Sequence, residues 1–175
     1  HDASYPAMGK SLIYSSPELL VSHHKIDLFD SGVPSLDEWR QRRAAQNQLS
    51  GASRTFVVCT DDQVIGYYAL ASSAVVSSAV TGKFRRNMPD PILVVVLARL
   101  AVTRAHQSRG LGRALFQDAA PRVIAAAEVI GIRGLLVHAL SVEAKAFYQR
   151  LGLEASPLEP MTMMVSLADL RRAIV

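Results

Sequence analysis

A single cysteine, Cys59, stands among the 175 residues, so the chain can form no internal disulfide and suits a reducing compartment. Long apolar runs are missing as well. The longest aliphatic stretch, Ile92 to Ala98, falls far short of the ~20 residues that a membrane span requires. No basic start followed by an apolar segment marks a secretory signal. These absences set the expectation of a cytoplasmic protein with no membrane partner. Charge is sparse, at 19% of residues against 50% hydrophobic, which excludes intrinsic disorder, a state of low hydrophobicity and high net charge. His23 and His24 have no cysteine or carboxylate partners at ligand spacing, so no metal is expected.

What is present suffices for one core. A chain of this length buries on the order of 70% of its unfolded surface, and one domain over residues 10–175 is expected. Residues 1–9 show no periodicity and read as a disordered or expression-derived start, with Met8 a candidate first residue. A helix is expected from Ser35 to Gln48, capped by Ser35, with Asp37 and Glu38 where carboxylates favour the positive end of the helix dipole. A β-branched run from Thr55 to Thr60, a turn at Asp61-Asp62 and the segment Val64 to Leu70 predict a hairpin, with a weaker strand tail over Ala71 to Val80. Asn87 to Pro91 is a rigid loop, because each proline fixes φ and biases its predecessor away from helix.

Ile92 to Val102 is too continuously apolar for a half-exposed strand and belongs centrally in a sheet. A helix from Gly110 to about Ile130 carries an apolar stripe through Leu115, Ala119 and Val123, with a kink expected at Pro121. A buried strand from Gly134 to Leu140 follows, then a short helix capped by Ser141 and ending at Arg150. A strand from Thr162 to Val165 and a polar tail complete the chain. This order implies an α+β fold, a mixed sheet with helices on its faces.

Chemistry concentrates at one junction. Gln107-Ser108-Arg109-Gly110-Leu111-Gly112 puts two glycines where a strand and loop turn into a helix. Glycines let a ligand approach the backbone closely, and first-turn N–H groups lack intrahelical partners. With the helix dipole they make an anion site suited to a pyrophosphate, flanked by Arg109 and Arg113. A Walker A loop has no match, and the dinucleotide fingerprint Gly-x-Gly-x-x-Gly/Ala fails at its last position, Leu115. What remains is Gln/Arg-x-x-Gly-x-Gly/Ala, the coenzyme A pyrophosphate loop of the GNAT acetyltransferases. The plainer alternative is that Gly110 and Gly112 merely begin a helix tightly.

The resemblance extends over roughly residues 27 to 165. Phe29-Asp30-Ser31-Gly32-Val33-Pro34-Ser35-Leu36-Asp37-Glu38-Trp39 resembles the start of the GNAT-type toxins of toxin–antitoxin pairs. So do Gly66-Tyr67-Tyr68-Ala69-Leu70, Arg86-Asn87-Met88-Pro89-Asp90-Pro91, Arg99-Leu100-Ala101-Val102, Leu136-Val137-His138-Ala139 and Ala146-Phe147-Tyr148. Ser31, Leu93, Thr103 and Leu153 stand where cysteine, a second proline, aspartate and phenylalanine are common, and none removes a group the chemistry needs. The resemblance implies the GNAT fold, a mixed and mostly antiparallel sheet with a splayed central strand and helices on both faces. It also implies acetyl transfer from acetyl-CoA to the α-amine of aminoacyl-tRNA, which blocks translation.

Site roles follow from the same resemblance. Backbone groups of Leu100, Ala101 and Val102 would bind the thioester carbonyl and the pantetheine arm. Gln107, Ser108, Arg109, Gly110, Leu111, Gly112 and Arg113 would cradle the pyrophosphate. Tyr148 would be the general acid toward the CoA sulfur, although a tyrosine beside Phe147 on an amphipathic helix is, on sequence alone, more often core packing. A ribbon-helix-helix antitoxin whose tail covers the active site, a toxin homodimer, and contact with DNA only through the antitoxin are implied as well. An α-amine has an ordinary pKa of about 8, lowered further by esterification to tRNA, so no strong base is required.

Other residues leave alternatives open. Arg99 either points into the active-site cleft or snorkels at a sheet edge. His138 is a base or a satisfied core histidine. Cys59 reads as a small buried hydrophobe, with no basic neighbour in sequence to activate it. Tyr67-Tyr68 would place one ring inside the sheet and one near the acceptor. From Lys83 to Arg113 seven basic residues face one acid, a net of +6, which leaves the rest of the chain at −2. Lys83, Arg85, Arg86 and Arg99, with Arg40 and Arg43 on the first helix, are therefore candidate tRNA contacts; a solvated basic face is the alternative. Two rival functions remain: a GNAT acetyltransferase for a protein N-terminus or small amine, and a non-catalytic module acting through an antitoxin or DNA.

Overall fold

β-branched and aliphatic runs dominate the strands that build the molecule. The computed structural model describes residues 3–7, 10–37 and 51–173, with side chains from residue 14 onward within those ranges. Strands β1 (Ala3–Ala7) and β2 (Lys10–Tyr14) pair antiparallel in a sheet of their own, where residues 1–9 had shown no periodic signal. A seven-stranded sheet holds β3 (Glu18–Leu19), β4 (Arg54–Thr60), β5 (Gln63–Val75), β6 (Ile92–Val102), β7 (Gly134–His138), β8 (Glu154–Ala155) and β9 (Thr162–Ser166), in the order β3-β4-β5-β6-β7-β9-β8. The helices among the described residues are α1 (Pro34–Asp37), α2 (Gly82–Arg85), α3 (Leu111–Ala127), α4 (Val142–Arg150) and α5 (Leu167–Ala173). The pairs β3/β4, β7/β9 and β8/β9 are antiparallel, and β6/β7 is parallel. A parallel pair needs a crossover, and α3 provides it.

Two compact units share the chain, one of His1–Ala69 with Arg99–Asp118, the other of Leu70–Ala98 with Ala119–Val175. In the first, Phe29, Leu36, Val57, Cys59, Val64 and Tyr67 form a buried cluster. Asp61 and Asp62 take positive φ, +48° and +65°, the left-handed pair a tight hairpin turn needs. In the second unit, Val80, Phe84, Ile92, Val94, Leu136 and Met164 cluster.

Several expected elements hold and several shift. β6 spans the expected residues and lies between β5 and β7. Ser141 caps α4, its hydroxyl accepting the Ala144 N–H at 3.0 Å. The first helix starts at Pro34 rather than after a Ser35 cap, because proline's fixed φ suits the first helical position. The rest of that expected helix, including Arg40 and Arg43, lies outside the described residues. In place of a strand tail to Val80, β5 ends at Val75 and a short turn leads to α2, capped by Thr81, whose hydroxyl accepts the Phe84 N–H. The expected polar tail is α5, with the Ser166 hydroxyl accepting the Asp169 N–H and Leu170 buried. α3 continues through Pro121, which gives no N–H to the preceding turn.

Candidate active site

The parallel register of β6 and β7 runs only from Val95↔Leu135 to Leu97↔Val137. β7 has a single residue left beyond that rung, whereas β6 continues to Val102, so Leu100, Ala101 and Val102 have no β7 partner in the register. The chain then makes one short turn, Arg104–His106, and reaches Gln107. Gln107 Nε2 donates to the carbonyls of Val102 and Ser31, both at 2.8 Å. One side chain thereby fixes the loop to the end of β6 and to the segment before α1.

Thr103 and Asp30 add to that clamp. The Asp30 N–H donates to Thr103 Oγ1 at 3.0 Å, and the Arg104 N–H donates to the Asp30 carbonyl at 2.8 Å. Arg104 Nε also lies 3.4 Å from the Asp30 carboxylate.

Past Gln107 the backbone turns through Ser108 at φ +62° and Gly110 at φ +81°. Left-handed residues at such a turn gather successive N–H groups into an anion-binding concavity. Among the described residues, the N–H groups of residues 108–113 have no acceptor, as expected for a helix start that awaits an anion. A Cβ on Gly110 would meet nothing within 4 Å, so the glycine answers to φ and to the ligand's approach, not to crowding.

Arg109 is held from a distant part of the chain. Its Nη1 donates to the Tyr14 hydroxyl at 3.2 Å, and that hydroxyl lies 2.9 Å from His106 Nδ1. The Tyr14 hydroxyl thus joins the Arg109 guanidinium to the His106 ring. Burial, then the neighbouring Arg109 charge, holds His106 below its ordinary pKa, which agrees with a neutral ring.

Both Tyr67 and Tyr68 are fully buried, so the expectation that one ring sits near the acceptor does not hold: their alternate faces both meet packed layers. The Tyr67 hydroxyl donates to the Leu36 carbonyl at 2.6 Å and the Tyr68 hydroxyl to Asp118 at 2.5 Å. Burial raises the Tyr67 phenol pKa, partly offset by Arg99. Arg99 itself donates to the Ser35 carbonyl at 3.1 Å. Cys59 is buried and its thiol is pushed up to about 11, by burial first and then by the Glu18 and Asp62 charges.

Tyr148 lies in the second unit, on α4. It is buried and edge-on to Phe147. Among the described residues nothing hydrogen-bonds its hydroxyl, and burial alone raises its pKa. The phenol therefore stays protonated at neutral pH. His138, at the end of β7, is exposed, with Nδ1 2.9 Å from Thr162 Oγ1; it is not a core histidine.

The candidate tRNA contacts are differently engaged. Lys83 pairs with Asp169 at 2.6 Å, Arg85 donates to the Val80 carbonyl at 2.8 Å, and Arg86 is exposed. His24 accepts the Val21 N–H at Nδ1 and meets Glu18 at 2.6 Å through Nε2. Sequence reading missed Tyr14, His106, Asp30 and Asp118, whose partners are far away along the chain.

Three comparisons place this geometry among known proteins. A family profile described as an acetyltransferase (GNAT) domain matches residues 51–154. The chain is 47% identical over 161 residues to the tRNA-acetylating toxin of Mycobacterium tuberculosis, covering 92% of this chain and 97% of that protein. The structure of AtaT complexed with acetyl-methionyl-tRNAfMet matches with a TM-score of 0.84 at 25% identity, over 91% of this chain and 99% of AtaT. A mutant AtaT toxin bound to the C-terminus of the antitoxin AtaR and to acetyl-CoA matches with a TM-score of 0.78 at 26% identity, over 90% of this chain and 96% of that one.

Proposed function

Because the chain belongs to the GNAT acetyltransferase family, we propose that it transfers the acetyl group of acetyl-CoA to the α-amine of aminoacyl-tRNA and so blocks translation. The observation that carries the substrate is the 47% identity to a tRNA-acetylating toxin over nearly the whole of both chains. The likeness to AtaT with its acetylated tRNA supports the same acceptor. One acetyltransferase domain over residues 10–175 does the work.

In this reading the acetyl donor's pyrophosphate accepts the N–H groups of residues 108–113, with Arg109 and Arg113 adding charge. Gln107 holds the loop in shape rather than touching phosphate, since its amide is committed to two carbonyls. Leu100, Ala101 and Val102 offer the pantetheine arm the backbone edge that β7 does not use. The neutral α-amine attacks the thioester carbon, and the C–S bond breaks as the amide forms. Tyr148 gives its phenolic proton to the departing sulfur. Its raised pKa keeps that proton in place until a thiolate develops beside it.

The partners follow from the relatives. The structure of AtaT with the C-terminus of AtaR supports an antitoxin partner. From the family resemblance alone we infer that it is of ribbon-helix-helix type with a tail covering the site, that DNA is contacted only through it, and that the toxin is a cytoplasmic homodimer. Among the described residues no helix is long and apolar enough to cross a membrane.

Tyr148→Phe tests the assignment. The variant should fold and bind acetyl-CoA normally while acetylation of charged tRNA falls about 10²-fold or more, the usual weight of a general acid. Undiminished acetylation would remove Tyr148 from the chemistry.

A further inference from the structure

β7 ends at His138, one residue past the last β6/β7 rung at Leu97↔Val137, so this histidine stands where the two strands cease to pair. Ligands of sheets with parallel strands gather at the carboxyl ends of those strands. Across β7, His138 is directly opposite Thr162 of β9, and its Nδ1 lies 2.9 Å from the Thr162 hydroxyl. That hydroxyl has one proton and gives it to Glu159 Oε2 at 3.2 Å, since a carboxylate only accepts. The Thr162 oxygen is left to accept from His138. Nδ1 therefore carries the ring proton and Nε2 keeps its lone pair.

The backbone holds the same two residues together, the Thr162 N–H donating to the Glu159 carbonyl at 2.8 Å. Thr162 is buried and His138 exposed. A histidine whose tautomer is set from one side, and whose ring remains accessible, is arranged to accept a proton.

We infer that His138 is the general base of the acetyl transfer, with Thr162 and Glu159 as the positioning residues that hold its tautomer. The inference rests on the acetyl-transfer reading above. The N–C bond forms and the C–S bond breaks. The proton that the attacking nitrogen loses passes to His138 Nε2, and sulfur takes its proton from Tyr148. Imidazolium and phenolate then return to their starting forms by exchange with solvent. The α-amine still starts neutral; His138 removes the proton that would otherwise keep the tetrahedral nitrogen positive and favour its expulsion.

The experiment compares wild type, His138→Ala, Thr162→Val and Thr162→Ser, each as the full chain, with acetyl-CoA and an aminoacylated total-tRNA pool. Acetyl-CoA affinity by calorimetry controls for folding. His138→Ala is expected to lower kcat about 10²-fold, within the range for a general base, with acetyl-CoA affinity kept. Added imidazole should restore part of the rate in proportion to its concentration. Thr162→Val should lose less, and Thr162→Ser, which keeps the hydroxyl, should stay near wild type.

A kcat within about twofold of wild type in His138→Ala would overturn the inference. So would a loss that imidazole leaves untouched while acetyl-CoA binds normally. Should His138→Ala lose acetyl-CoA binding, His138→Asn, whose amide can still donate to Thr162, is judged by the same two criteria, and a stable His138→Asn with wild-type kcat overturns the assignment. A wild-type protein that ignores charged tRNA but acetylates a peptide or free amine contradicts the acceptor assignment alone; His138 is then judged by the same ratios on that amine.

Discussion

Tyr14 shows what a single residue adds that no local pattern reveals. Its hydroxyl joins Arg109 and His106 across 92 positions of sequence, and nothing near Tyr14 hints at either partner. Tyr14→Phe removes the hydroxyl that accepts from Arg109 and meets His106, without opening a cavity. A hydrogen bond to a charged group contributes about 1.5–3 kcal/mol, so the acetyl-CoA KM should rise roughly tenfold or more with little change in kcat, measured under saturating acceptor. An unchanged KM would mean that Arg109 needs no such support. Cys59 is the opposite case, legible from its place in a β-branched run. With its thiol pushed up to about 11, it remains protonated at pH 8 and should resist iodoacetamide in the native protein, then react fully in denaturant.

Among elements, those with a long periodic signal or a clear cap were readable and helices of one or two turns were not. The bounds of β6, the Ser141 cap and the turn at Asp61-Asp62 all follow from runs or cap residues visible in sequence. The helices α2 and α5 did not, because four and seven residues are too short a run to show a period; what holds them is the burial of Phe84 and Leu170, a tertiary fact. The glycine turn from Gln107 to Gly112 into a helix was legible, but its clamp by Gln107, Thr103 and Asp30 was not.

Two glycines give the elements a test. A Cβ on Gly134 would collide with the Val165 carbonyl oxygen and sit 2.9 Å from Ser166 Cα, backbone that cannot step aside within a sheet. Gly134→Ala should therefore cost more than about 3 kcal/mol, in the range reserved for core overpacking, and be seen as a large drop in melting temperature. Gly110→Ala meets no atom, so only its φ of +81° opposes it, at about 1–2 kcal/mol. It should unfold near wild type but bind acetyl-CoA less tightly.

At the scale of the whole molecule, the net charge of +4 conceals a basic stretch that the fold largely employs itself. Lys83 pairs with Asp169, Arg85 and Arg99 serve carbonyls, Arg104 meets Asp30 and Arg109 meets Tyr14. Among the described residues that leaves Arg86 and Arg113 of this stretch without a hydrogen bond or ion pair. Sequence could count these charges but could not show which were already engaged, since every partner except Val80 is distant along the chain. Arg113 belongs to the proposed donor loop, so Arg86 is the better probe of tRNA. Arg86→Ala should weaken binding of charged tRNA and reduce the slope of log affinity against log salt by about 1.

The central claim concerns the acceptor, and mass spectrometry of charged tRNA after incubation with the protein and acetyl-CoA tests it most directly. The account predicts that the aminoacyl group gains the mass of one acetyl on its α-nitrogen, and that Tyr148→Phe slows the gain about 10²-fold or more. Charged tRNA left unmodified, while a peptide or free amine is acetylated under the same conditions, would contradict it.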